Sequence, residues 1–425
     1  MPSKINLVCL FGNLQIVDNI NQLLVQAQIA YNASDRSSLI QCLQQLTQKE
    51  DLEHPEIVKN QEHLLELALS VLETGDFQQR WEIAKVLIRL KSIALPPLID
   101  ILKDEDADEE LRAYVARILG DLKNPDAIPP LVELLKTNES EELKEIAATA
   151  LGQMSSVAIA PLTELLAEEQ TRLLATQMLS FIRQKETITP LLSVVQDPQV
   201  AVRAVAIEAL SSFHDHRVQT VLLNALNDVA APVRREAVLG LGFRPELRET
   251  LDLVAKLQPR LYDINQDVCC AAVVALSRMG CDAAAQALFQ VLISPNTSRR
   301  LQLETIRALS WVGTLSGLEY LQTALAQLQT PSVWQEIVTV LGRVSGALTD
   351  KAVEILLQML QHNHPGVEIA SIKSAIALSL GQLGKMQAMS ALTEMLTDKD
   401  AQVRLHASAA LKRLAREEGN YKNDF

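Results

Sequence analysis

Asp197-Pro-Gln-Val-Ala-Val-Arg203-Ala-Val-Ala-Ile207-Glu-Ala-Leu210 recurs in degenerate form twice more. The second copy is Asp228-Val-Ala-Ala-Pro-Val-Arg234-Arg-Glu-Ala-Val238-Leu-Gly-Leu241, and the third is Asp398-Lys-Asp-Ala-Gln-Val-Arg404-Leu-His-Ala-Ser408-Ala-Ala-Leu411. The shared frame is Asp, Arg six residues on, a small or apolar residue four further, and Leu after three more. Sliding it along the chain places the Arg-equivalent position at Arg80, Arg112, Lys144, Arg172, Arg203, Arg234, Cys269, Gln302, Trp334, Lys373 and Arg404. The intervals are 32, 32, 28, 31, 31, 35, 33, 32, 39 and 31 residues, so eleven copies of one supersecondary unit fill most of the 425 residues.

Each copy reads as two helices. The first is a short apolar stripe such as Ile128–Leu135 or Thr189–Val195, with Pro near its start, where the missing N–H is harmless. The second begins after the Asp turn and carries apolar residues at helical spacing, as in Val202, Val205, Ala206 and Ala209. Gly120, Gly152, Gly242, Gly342 and Gly381 follow a Leu late in the second helix. Such glycines, with small residues four after the Arg position (Ala84, Ala116, Ala148, Ala377), are expected to let neighbouring helices approach closely. The pairs Asp197/Arg203, Asp228/Arg234 and Asp398/Arg404 are expected to form a stacking ladder in which each Arg meets its own turn.

This pattern resembles a HEAT-like array, and in particular the short repeats of the phycobilisome-lyase type, over about residues 55–416. The resemblance implies an all-α fold: a right-handed α–α superhelix of about eleven two-helix repeats, each burying its faces against its neighbours. Residues 1–54 lack the frame but hold amphipathic stretches at Leu14–Tyr31 and Ser38–Gln48, read as an N-terminal helical cap. Residues 417–425 read as a C-terminal tail. The 39-residue interval before Lys373 places an insertion or a longer helix near 346–366.

Composition agrees. The chain is 48% hydrophobic, 4% aromatic and 21% charged, with 15 Gly and 16 Pro, which excludes disorder, collagen and disulfide scaffolds. The net charge is −13, unevenly spread: residues 51–170 hold 11 Lys/Arg and 25 Asp/Glu, the remainder 28 and 27. That balance speaks against nucleic acid as a partner. No apolar run is long enough to span a membrane, and the short apolar opening Ile5–Gly12 lacks the flanks of a cleaved leader. Five cysteines (Cys9, Cys42, Cys269, Cys270, Cys281) without framework spacing suit a reducing cytoplasm.

Candidate chemistry is sparse. The stretch Leu239–Phe243 holds a G-x-G but no further glycine or preceding strand, and no phosphate loop, zincin or nucleophile-elbow motif occurs. The thiols of Cys269, Cys270 and Cys281 are weighed as buried residues against soft-metal ligands, and His214-Asp-His216 and His362-Asn-His364 as turn residues against a divalent site. His406 is expected at the surface. The acidic run Asp104–Glu110 reads as helix N-terminal carboxylates, or as a handle for a basic partner. Where the Arg frame breaks, Cys269, Gln302, Trp311 and Trp334, with Tyr320 close by in sequence, mark the candidate partner-binding patch.

The function expected from these residues is a non-catalytic scaffold or chaperone-like adaptor holding a protein in a concave groove, with a second solenoid subunit as a further candidate partner. No catalytic residue, metal or cofactor is assigned. The resemblance implies an alternative, a bilin lyase or chromophore-assembly factor binding a bilin; metal or iron–sulfur transfer is a weaker one.

Overall fold

The computed structural model describes residues 5–48, 54–137 and 140–423; among them there are α-helices and short 3-10 turns but no strand. The chain divides into two units, Met1–Ala209 and Leu210–Phe425. In the first unit α1 (Ile5–Asn32) and α2 (Arg36–Leu46) pack on each other and on the first hairpin, α3 (Pro55–Thr74) with α4 (Phe77–Leu90). There follow α5 (Leu95–Lys103) with α6 (Glu109–Leu122), α7 (Ile128–Thr137) with α8 (Glu141–Gln153), α9 (Ile159–Leu165) with α10 (Glu169–Ile182), and α11 (Ile188–Ser193) with α12 (Val200–Ser211). The second unit pairs α13 (His216–Ala225) with α14 (Ala231–Gly242), α15 (Leu253–Leu257) with α16 (Gln266–Ser277), and α17 (Asp282–Ile293) with α18 (Arg299–Trp311). It ends with α19 (Leu315–Gln327) and α20 (Pro331–Leu341), α21 (Thr349–Gln361) and α22 (Ala370–Leu383), then α23 (Met389–Glu394) and α24 (Ala401–Asn423).

Every Arg-equivalent position falls in the first turns of a second helix. The expected all-α solenoid of two-helix repeats is the fold observed. The long interval before Lys373 is taken up by α21 and by 3-10 turns at Gly346–Leu348 and Pro365–Glu368 on either side of it. The expected tail is shorter than its sequence suggests, because α24 continues to Asn423. Residues 1–4 and 49–53 of the expected cap, and 424–425 of the tail, lie outside the described residues.

Consecutive second helices touch through the glycines. A Cβ added to Gly120 would stand 2.8 Å from the Ala150 Cα, and one on Gly242 2.7 Å from the Ala275 Cβ. Gly342 against Ser379 and Gly381 against Ala410 repeat this packing. The small partner lies six residues after the frame's Arg position, so the four-after alanines, although Ala116, Ala148 and Ala377 are buried, do not meet these glycines.

The ladder differs from its expected form in one respect. Each arginine does bind its own turn, but through backbone carbonyls: Arg203 Nη1 donates to the Asp197 and Pro198 oxygens at 2.7 and 3.2 Å. Arg234 does the same to Asp228 and Val229, and Arg404 to Asp398 and Lys399. The turn's carboxylate instead accepts from the backbone N–H two residues on, as Asp197 does from Gln199, and from the cation of the preceding repeat. Arg172 reaches Asp197 at 2.8 Å, Arg234 grips both oxygens of Asp263 at 2.7 Å, and Lys373 meets Asp398 at 2.5 Å. The geometry is dictated by reach: a side chain long enough to cap its own turn is spent there, while the next turn's carboxylate sits beside its free edge.

Candidate partner-binding surface

The frame-breaking residues turn out to be mostly structural. Cys269 is buried, and its Sγ donates at 3.1 Å to the Asp263 carbonyl, the position that Arg203 and Arg234 contact in their own turns. Burial, and secondarily the Asp263 charge, pushes its thiol up, and burial does the same at Cys270. Neither suits a thiolate nucleophile or ligand at neutral pH. Gln302 is half-buried and accepts from Arg299 Nη1 at 3.1 Å.

Trp334 is only 5% exposed and packs edge-on against His364 of the next hairpin, with ring centroids 4.8 Å apart. It fills the step between two repeats. Tyr320 stacks on Phe289 across α17 and α19, away from the second helices. Of the four candidate residues, only Trp311, 62% exposed at the end of α18, presents a large surface to solvent.

Of the two histidine pairs, His214, His216 and His362 stand exposed, while Asp215 and His364 are tied into their turns. Asp215 is gripped by Arg217 through both oxygens, at 3.0 and 2.9 Å, which holds its carboxyl down at about 2. His364 Nδ1 accepts from the Gly366 N–H, so its Nε2 carries the proton and donates to the Leu325 carbonyl. His406, expected at the surface, is half-buried and bonded to Ser374. Among the described residues, no three His, Cys, Asp or Glu side chains converge as metal ligands would. In the acidic run, Asp108 caps α6 by accepting from the Leu111 N–H, with Glu109 and Glu110 in the first turn.

What the sequence reading missed is a register. Large apolar side chains exposed on second helices recur at fixed offsets from the Arg position: Phe77 three before, Trp81 one after, and Phe181, Phe243 and Trp311 nine after. The frame carried two residues beyond its final Leu would have found most of them. In the first unit, Phe77 meets Tyr114 edge-on at 5.9 Å over a groove of about 460 Å³ whose rim is Glu109, Glu110 and Glu142. Its only lining cation, Arg117, stacks on Tyr114. In the second unit, a groove of about 580 Å³ runs over α14, α16 and α18, lined by Pro232, Leu239, Val274, Arg235 and Arg300 among others.

The model of HEAT repeats matches residues 95–179, 167–242 and 318–412, more than half of the chain. The chain belongs to the HEAT-repeat family. In fold, this HEAT array is similar to Kap95p, as seen in a structure in which Kap95p binding induces the switch loops of RanGDP to adopt the GTP-bound conformation. That likeness has 12% identity and a TM-score of 0.54, covering 97% of this chain and 65% of that one. A mutant of Kap121p is similar at 14% identity and TM-score 0.48, over 94% of this chain and 54% of that one. The HEAT array thus spans a little under two thirds of the first of these and about half of the second. No curated protein matches it. Among the described residues, no helix is long and apolar enough to cross a membrane.

Proposed function

We propose that this HEAT array is a non-catalytic, protein-binding scaffold that holds its partner on the exposed face of the second helices. One observation carries the reading: exposed aromatic residues occupy register positions on that face, in a chain with few aromatics to spend. Exposed aromatic side chains offer a large apolar area for a partner to cover, and they are the usual anchors of protein interfaces. The close Gly-to-small contacts draw the second helices together, which favours this side as the inner wall of a curve. Kap95p, of similar fold, engages a protein, RanGDP. The unpaired thiols suit a reducing compartment such as the cytoplasm.

Affinity capture from the source cells, with wild-type chain and a Phe243→Ala/Trp311→Ala variant, tests this. A partner recovered by the wild type and depleted at least about tenfold with the variant supports the reading, since such anchors contribute 2 kcal/mol or more, roughly thirtyfold. Equal recovery by both, or recovery of nothing, removes it. A visible absorption change when purified protein meets a bilin would instead favour chromophore processing.

A further inference from the structure

Nine residues after the Arg-equivalent position, four consecutive second helices of the second unit carry Phe243, Arg278, Trp311 and Arg343. Because α14, α16, α18 and α20 pack side by side, equivalent register brings these residues into one row at the helices' C-terminal ends. All four are exposed, Phe243 at 59% and Trp311 at 62%. The Arg278 guanidinium lies 4.2 Å from the centroid of the Phe243 ring. Among the described residues, neither Arg278 nor Arg343 has a carboxylate or carbonyl partner, unlike Arg307, which is held by Glu304 and Glu336.

We infer that this row binds an acidic protein segment carrying an apolar residue between two carboxylates. The inference rests on the scaffold reading and names the chemistry of its partner. A guanidinium stacked on an aromatic ring keeps its donor edge free, and that edge matches a carboxylate. Helix C-termini, where the row lies, repel anions, so the guanidiniums alone make the site acceptable to a carboxylate. A cation at a helix end has a local use as well, but that use gives no reason for exposed aromatics to alternate with it.

Spacing sets the motif. Packed helices lie about 10 Å apart, so Arg278 and Arg343, two helices apart, are separated by about 20 Å. An extended chain rising ~3.3 Å per residue covers that in about six residues. The fitting segment has acidic residues about six apart with an apolar residue midway, over Trp311. Single-stranded nucleic acid also combines rings and anions. The charge balance disfavours it: residues 210–425 hold 21 Lys/Arg and 21 Asp/Glu, and the whole chain is −13.

The test is fluorescence anisotropy on the full chain. The probe is a labelled Gly/Ser peptide bearing two glutamates about six residues apart and a central phenylalanine. Expected are saturable binding that weakens with salt, none for the lysine counterpart, and a loss of about tenfold or more in Arg278→Gln/Arg343→Gln and in Trp311→Ala, against no change in Arg217→Gln. Circular dichroism checks that the variants are folded. No binding, equal loss in Arg217→Gln, or tighter binding of labelled oligouridylate through the same residues overturns the inference. If the peptide fails while capture of a partner still depends on Phe243 and Trp311, this inference falls and the scaffold reading stands; if capture is independent of them, the scaffold reading falls.

Discussion

The two tryptophans of α18 and α20 illustrate how position decides what a side chain does. Trp334 is enclosed against His364, and its indole Nε1–H is buried without an acceptor among the described residues. Its loss to alanine should cost about 3–5 kcal/mol in urea unfolding, by cavity formation. Trp311→Ala, at an exposed site, should stay within about 0.5 kcal/mol. Comparable losses in both would mean that Trp311 is also core. Asp263 is the second informative residue. Burial would raise its carboxyl, but the Arg234 fork, the Asn265 N–H and the Arg234 and Arg260 charges outweigh that and hold it below the usual range. A carboxyl lowered in the folded state stabilises fully above its unfolded value of about 3.9 and loses that contribution as pH falls through the lower folded value. Asp263→Asn should remove this acid-side dependence and cost about 3 kcal/mol, since the buried Arg234 would lose the carboxylate that grips it. An unchanged pH–stability profile would contradict the inter-repeat ladder.

Between elements, the limiting contact is backbone-close packing at the glycines. Gly242→Ala places a methyl 2.8 Å from the Ala275 Cα, so α14 and α16 must separate, at a cost of about 1–3 kcal/mol. Gly152→Ala meets Met178 Sδ at 3.3 Å, the end of a flexible side chain, and should cost clearly less. Thermal unfolding of the two variants gives the order; the reverse order would remove the argument from close approach. Repeats seven and nine show that the ladder tolerates substitution when its tasks are taken over. Cys269 keeps the carbonyl contact, and the turn that follows carries Asn296 in place of the frame's Asp, so no carboxylate there awaits a cation; the Trp334–His364 contact likewise stands at a step where the frame offers no Asp. This is why a missing arginine in the sequence leaves no gap in the packing of these repeats.

At the scale of the whole molecule, each hairpin leans on its neighbours, so perturbations should stay local. Hydrogen exchange on Gly242→Ala should show lost protection in α14 and α16, with α4, α6 and α8 unchanged. Uniform loss across both units would mean that the chain unfolds as one block. The sequence by itself determined the repeat, its period, the two helices per unit and the family, because stacked hairpins need the same buried stripe and the same turn in every copy. It also carried the Gly positions and the Asp turns. Only the tertiary structure decided which carboxylate each arginine meets, which of Trp311 and Trp334 faces water, and that Phe243, Arg278, Trp311 and Arg343 form one row. Those outcomes depend on contacts between residues some 25 to 40 positions apart, set by how one hairpin sits on the next, and periodicity within a single helix carries no record of that.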